Sequence, residues 1–215
     1  IIITFNCTVT EIINNMDIGL VPMAAKPYHA GHHWLVEKAA SENDRVIVFV
    51  SISDRARKGE FPVYGKDMQK VWEEELEPIM PNNVEVRYGG APVQKVYQEI
   101  SDAGDADSLD TFHVYSDATD TARNYPEKNR IKYMDPLYSQ GQVKFPAEEN
   151  PGGFTRGEGS PNVSGTAMRQ ALETCNIESF REGLPQGVNA ENVYNILCKK
   201  TNESLLRFYI QNLIR

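Results

Sequence analysis

The sequence has few cysteines, no long apolar run and no excess of basic residues. Its three cysteines, Cys7, Cys175 and Cys198, are odd in number and too scattered for a metal-binding motif. We therefore expect free thiols in a cytoplasmic protein. No stretch approaches the roughly 18 consecutive apolar residues of a membrane span, and the first residues lack the charged and apolar regions of a signal peptide.

The charge balance limits the kinds of partner. The chain has 22 basic and 30 acidic residues, which gives a formal net charge of -8. A surface built to bind nucleic acid or anionic lipid is usually positively charged. We expect no nucleic acid and no membrane as partner, and any phosphate that the protein binds must be held by a local site.

Short apolar runs alternate with amphipathic stretches after Met16. This alternation is typical of βαβ units and predicts a Rossmann-like, doubly wound parallel α/β sheet with C-terminal helices. Strands are expected at 18–24, 45–52, 84–88 and 111–115, with a short one at 143–145. Helices are expected at 32–40, 68–76, 93–100, 165–173, 190–198 and 203–214. Most of 125–161 is rich in proline, glycine and charge, and is predicted to be loop.

Three of the four histidines lie in one segment, His29-Ala30-Gly31-His32-His33. The segment falls between the first strand and the first helix, where backbone N–H groups and the helix dipole favour an anion. Gly31 lets the backbone pass close to a phosphate, and His29 and His32 can both donate N–H groups to its oxygens. Phosphoryl chemistry depends on such positioning and charge stabilisation, so this segment is a candidate catalytic site.

A second motif begins the helix predicted at 165–173. Residues 163–169 read Val-Ser-Gly-Thr-Ala-Met-Arg. The hydroxyl groups of Ser164 and Thr166 can cap this helix, whose N–H groups can meet phosphate, and Arg169 follows one turn later. An ordinary Ser/Thr helix cap is the alternative interpretation.

Together the two motifs resemble those of the cytidylyltransferase-like nucleotidyltransferases, which have His-x-Gly-His after strand one and Ile-Ser-Gly-Thr-x-x-Arg at a later helix start. The segment 27–32, Pro-Tyr-His-Ala-Gly-His, is similar to the Pro-Phe-His-x-Gly-His form of archaeal-type nicotinamide-nucleotide adenylyltransferases. The resemblance covers 16–175, which we interpret as the catalytic domain. We interpret 176–215 as a C-terminal helical extension and 1–15 as an N-terminal extension or an extra edge strand.

The resemblance implies transfer of a nucleoside monophosphate from a nucleoside triphosphate to a small phosphorylated acceptor, with release of pyrophosphate. Mg²⁺ is the expected cofactor, bound to phosphate oxygens, and no covalent intermediate is expected. The catalytic residues would be His29 and His32, with Lys26 directly before the motif. The nucleotide-binding residues would be Tyr28, Gly31, Ser116, Asp117, Ser164, Gly165, Thr166 and Arg169.

Some roles stay open at this stage. Ser116 and Asp117 follow the fourth strand, where a polar loop either binds the nucleoside or acceptor or simply ends the sheet. Tyr28 and Trp34 flank the first motif and either stack on a base or pack internally. The basic group Arg55, Arg57 and Lys58 either binds phosphate or is a solvated loop. Trp72 and His113 are predicted to be structural.

The acceptor and the base are also open. ATP with nicotinamide mononucleotide is the leading pair, and the alternatives are a cytidylyltransferase for polyol or choline phosphate and a pantetheine-phosphate adenylyltransferase. An aminoacyl-tRNA-synthetase-like fragment is disfavoured by the short, acidic chain. A nucleotide-binding module without turnover and a homo-oligomer both remain open.

Overall fold

The computed structural model of the protein describes residues 15–154 and 160–198. Cys7, the N-terminal segment predicted as an extension or edge strand, and the helix predicted at 203–214 therefore lie outside the described residues.

The described chain contains a five-stranded parallel sheet with the strand order β3-β2-β1-β4-β5. The strands are β1 (Asp17–Met23), β2 (Arg45–Val50), β3 (Val84–Tyr88), β4 (Thr111–Val114) and β5 (Val143–Lys144). Helices cover both faces, so the predicted Rossmann-like, doubly wound α/β fold is confirmed. All five predicted strand positions are correct to within two residues.

The α-helices of the described chain connect these strands and follow the last one. They are α1 (Ala30–Glu42), α2 (Gly65–Val71), α3 (Pro92–Asp105), α4 (Ala118–Asn124), α5 (Glu127–Tyr133), α6 (Pro146–Glu149), α7 (Gly165–Glu173) and α8 (Ile177–Glu182). Residues 190–198 are also helical. A π-helical turn (Trp72–Leu76) continues α2, and 3-10 turns lie at Glu77–Ile79 and Pro151–Phe154.

The central strands divide their side chains between two cores. In β1, Val21 points into the core under α1 and the C-terminal helices, whereas Leu20 points into the core under α3 and α5. In β2, Val48 and Phe49 alternate in the same way. Successive side chains of a strand point to opposite faces, so a strand with both faces covered is apolar throughout.

The chain reverses its direction of winding beside β1. It runs outward through β2 and β3 on one side, then crosses to β4 and β5 on the other. Ligands of open α/β sheets bind beyond the carboxyl ends of the strands at such a switch point, here between β1 and β4.

The prediction that 125–161 is mostly loop apart from a short strand is wrong at α5 and α6, two helices that lie in it. Arg130 organises this segment from a buried position. Its guanidinium donates to the Tyr125 carbonyl at 2.6 Å and to both carboxylate oxygens of Glu148, and it lies 3.7 Å from the centre of the Phe145 ring. The charge of Arg130 is therefore paired within this part of the chain, which sequence composition does not reveal.

The two residues predicted to be structural, Trp72 and His113, lie either inside the core or away from the carboxyl ends of the strands. Trp72 is fully buried in the core beneath α1. His113, in β4, lies 3.2 Å from the Asp17 carboxylate near the amino ends of the strands. No helix within 15–154 and 160–198 is long and apolar enough to cross a membrane.

Candidate functional site

A cavity of about 260 Å³ lies at the carboxyl ends of β1 and β4. Its wall is formed by the end of β1, the start of α1, the start of α4 and the chain around residues 160–163. His29, Gly31, His32 and Asp117, all predicted site residues, line it. The cavity therefore occupies the switch point of the sheet.

His29 and His32 form a pair at the amino end of α1. His29 is the N-cap residue, its N–H group donates to Nδ1 of His32 at 3.3 Å, and the two rings stack with centroids 3.8 Å apart. Because both imidazoles sit beside the positive end of the helix dipole, an anion in the cavity would meet two ring systems and a helix terminus together.

Gly31 makes room for this arrangement. A Cβ atom at this position would lie 3.1 Å from both Cε1 and Nδ1 of His29, and 3.7 Å from the Pro161 carbonyl oxygen. The glycine therefore allows the His29 ring to lie where it does, and it also leaves the cavity open. The first amide of the helix, that of Ala30, is occupied because it donates to the Gly183 carbonyl at 2.8 Å.

Tyr28 lies behind the histidines and does not line the cavity. Its ring is 1% exposed, stacks on His32 at 5.4 Å and meets Trp72 edge-on at 4.7 Å. Burial raises the pKa of its phenol, whose hydroxyl lies 3.2 Å from Nδ1 of His33. Of the two aromatic residues flanking the motif, Trp34 is the one that lines the cavity.

Lys26 is turned inward. Its ammonium group donates to the carbonyls of Ser51 and Ser53 in the loop after β2, and its side chain is buried. Burial lowers its pKa, an effect that the nearby Asp54 opposes. In this conformation Lys26 joins the first motif to the loop after β2 and does not reach into the cavity.

The second motif starts α7 close to the first motif. Ser164 is the N-cap, and its hydroxyl accepts from the Ala167 N–H at 3.1 Å. Arg169 is buried, and its guanidinium donates to the Lys26 carbonyl and to the Thr166 hydroxyl, both at 3.0 Å. Gly165 leaves space for it, since a Cβ there would lie 3.1 Å from Nη1 of Arg169. Arg169 thus ties the two motifs together.

Ser116 and Asp117, after β4, have different places. Asp117 lines the cavity and caps α4, accepting from the Asp120 N–H at 2.8 Å. Ser116 is buried and its hydroxyl pairs with that of Thr121 at 2.7 Å, so it positions α4 from below.

Three features of the site have no signal in the local sequence. Phe154 lines the cavity and meets Trp34 edge-on at 6.5 Å. Glu60 lies 3.3 Å from Nε of Arg169. Gly183, after α8, accepts from the first amide of α1. Each depends on contact between segments far apart in the chain. For Glu60, the sequence indicated only that the basic group Arg55, Arg57 and Lys58 nearby was a candidate phosphate site.

One comparison with known proteins, a family model, matches the segment that contains the first motif. The family model of the citrate lyase ligase C-terminal domain matches residues 18–73, which contain the His-x-Gly-His motif and make up 56 of the 215 residues. The comparison with curated proteins gives no match. Among solved structures, Thermotoga maritima TmcAL bound with alpha-thio ATP aligns with 16% identity and a TM-score of 0.41. That alignment covers 87% of this chain and 56% of TmcAL, so the chain spans just over half of that protein.

Proposed function

We propose that this protein is a nucleotidyltransferase that uses a nucleoside triphosphate, transfers its nucleoside monophosphate to a small phosphorylated acceptor and releases pyrophosphate. The observation that carries the proposal is the meeting of two helix starts at the switch point. His29 and His32 begin α1 beside the cavity, and Arg169 of α7 is bonded to the Lys26 carbonyl just before them. The match of the citrate lyase ligase family to the segment around the first motif supports this placement of the chemistry.

The first motif would act on the α-phosphate. Transfer at phosphorus builds negative charge on the equatorial oxygens, and preformed donors that cost no reorganisation stabilise that charge. The paired imidazoles at the start of α1 would serve as such donors. Since the acceptor phosphate attacks directly, the protein needs no nucleophile of its own.

The second motif would bind the β- and γ-phosphates. The first amides of a helix have no acceptor within the helix, so the amides at Gly165 and Thr166 would bind the phosphate oxygens. Arg169 adds a positive charge held in place by two hydrogen bonds. The departing pyrophosphate would thus be held apart from the histidines that stabilise the transferring group.

Mg²⁺ is the proposed cofactor. No three His, Cys, Asp or Glu side chains in the described parts of the chain are grouped as metal ligands. The ion would therefore arrive bound to the triphosphate oxygens, as a hard cation that prefers oxygen ligands. It would neutralise charge on the leaving pyrophosphate.

For the acceptor, the leading proposal is nicotinamide mononucleotide with ATP. It rests on the form of the first motif and on the aromatic wall that Trp34 and Phe154 give the cavity, against which a flat ring can pack. A cytidylyltransferase for polyol or choline phosphate and a pantetheine-phosphate adenylyltransferase are the alternatives within the class. Outside it, a nucleotide-binding module without turnover would use the same cavity.

A pyrophosphate-release screen with each triphosphate against these phosphorylated acceptors tests the proposal. An active pair should require a divalent cation, stop with EDTA and recover with Mg²⁺. Nucleotide binding without pyrophosphate release under any pairing would favour the binding module instead.

With an active pair, His32→Ala should lower kcat by about two to four orders of magnitude, because it removes a preformed donor to transition-state charge. His113→Ala is the matched control, since His113 pairs with Asp17 near the amino ends of the strands, away from the cavity. Turnover of the His32 variant within a few-fold of the parent would contradict the assignment.

A further inference from the structure

A carboxylate lies between two arginines next to the second motif. Glu60 accepts from Nε and Nη2 of Arg55 at 2.8 and 3.0 Å, one bond to each oxygen. Its Oε2 atom also lies 3.3 Å from Nε of Arg169. The bidentate pairing with one guanidinium and the contact with a second are the arrangement by which arginines also bind phosphate.

Arg169 has more donor capacity than its neutral partners use. Two of its nitrogens donate to Lys26 and Thr166, whereas Nε is buried and makes no hydrogen bond with any described residue. Among the residues that the structure describes, Glu60 is the anion nearest to that nitrogen, at a distance longer than a charge-assisted hydrogen bond. The Nε group therefore faces an anion without a bond of good geometry.

Positive charge is concentrated around Glu60. Burial, and after it the guanidinium of Arg55, lowers the pKa of Arg169. The hydrogen bond from Arg55 lowers the pKa of Glu60, with further contributions from Arg169 and Arg57. Three guanidinium groups thus act on one carboxylate.

We propose that, in the free protein, Glu60 occupies the subsite for the polyphosphate tail of the nucleotide. When the tail displaces the Glu60 carboxylate, Arg55 becomes a phosphate ligand. The proposal rests on the proposed function for the identity of the tail. The ligand class is a pyrophosphate group. It has more oxygens to offer to the two guanidinium groups than the carboxylate of Glu60, which has two. Glu60 is then a built-in competitor that reduces affinity for the polyphosphate.

Glu60 is placed so that its side chain can leave without disturbing the core. It lies in a turn closed by its own N–H bond to the Arg57 carbonyl, between the bridged residues Arg55 and Val63. Phe61 and Val63 anchor the end of this turn in the core, whereas the Glu60 side chain is 30% exposed. Rotation into solvent needs no change in those anchors.

Calorimetric titration with inorganic pyrophosphate tests the proposal without any acceptor or turnover. Glu60→Gln keeps the shape of the side chain and removes its charge, so pyrophosphate should bind about tenfold or more tightly, as expected if the open state is a minor population in the parent. Glu85→Gln is the matched control, because Glu85 on β3 also bridges two arginines, Arg45 of β2 and Arg87 of β3. It should leave pyrophosphate affinity unchanged.

The double variant Arg55→Gln/Glu60→Gln should lose the gain, because Arg55 is the proposed ligand. Glu60→Ala serves as a second variant, and thermal unfolding of each protein establishes that it is folded. Equal or weaker pyrophosphate binding by both Glu60 variants overturns the proposal, as does an equal gain in Glu85→Gln. Tighter pyrophosphate binding by the Glu60 variants without nucleotidyl transfer under any pairing would leave this inference standing and reject the proposed function. Nucleotidyl transfer without tighter pyrophosphate binding would support the proposed function and reject this inference.

Discussion

Gly31→Ala should separate the chemistry of the site from the stability of the fold. The new Cβ would lie 3.1 Å from two atoms of the His29 ring, so the ring must move by a few tenths of an ångström to reach ordinary van der Waals contact. A misplacement of about 1 Å in a catalytic site costs roughly 100-fold in rate. We therefore expect kcat/KM to fall by about tenfold.

Stability should change little in the same variant. Alanine gains about 0.5–1 kcal/mol over glycine within a helix, and crowding against His29 costs about the same or slightly more. The melting temperature should stay within about 4 °C of the parent. Pyrophosphate release with the best substrate pair and thermal unfolding are measured on the same preparations.

Gly152→Ala is the control for the methyl group itself, since its Cβ would have only Asn150 Oδ1, at 4.0 Å, near it among the described residues. It should match the parent in both assays. If Gly31→Ala retains kcat/KM within twofold while folded, the position of the His29 ring does not govern the reaction and the reasoning is refuted.

Two further variants test the fold and its charges. Gly65→Ala would place a Cβ 1.7 Å from the Ile52 carbonyl oxygen, so it should destabilise the protein by about 3 kcal/mol or more in urea unfolding; stability equal to the parent would mean that the loop after β2 moves freely. Glu85 has its pKa lowered to about 2, chiefly by the hydrogen bond from Arg87. A carboxyl whose pKa is lowered by folding stabilises the folded protein at pH values above its ordinary pKa of 4.5, and this stabilisation is lost as the pH falls towards 2. Because the Glu85 side chain is 42% exposed, Glu85→Gln should cost only about 1 kcal/mol at pH 7, and the difference from the parent should shrink in unfolding curves between pH 5 and 3; a difference independent of pH would contradict this.

Much of the site was predictable because its motifs are local. The start of α1 follows from the break after the first apolar run, which places His29 and His32 at a helix terminus whatever the rest of the chain does. The same holds for Ser164 at the start of α7. The inward turn of Lys26 was not predictable, because it depends on carbonyl groups in the loop after β2.

Local sequence also failed where burial decided the outcome. Tyr28 belongs to the first motif, yet its ring packs against Trp72 beneath the cavity. Arg130 lies in a segment whose composition is typical of a loop, yet its guanidinium is buried, paired with Glu148 and packed on Phe145. Glu60 carries no pattern of its own that would link it to Arg169.

By itself, the sequence determined the order and type of most elements and the two motifs, because apolar periodicity and helix starts depend on neighbours within a few residues. The tertiary structure decided that β1 is central, with β2 on one side and β4 on the other. That order brings His32 and Asp117 to one cavity, and the fold brings Arg169 to the Lys26 carbonyl. Strand order, burial and these bonds arise from contacts between distant parts of the chain, which no local pattern specifies.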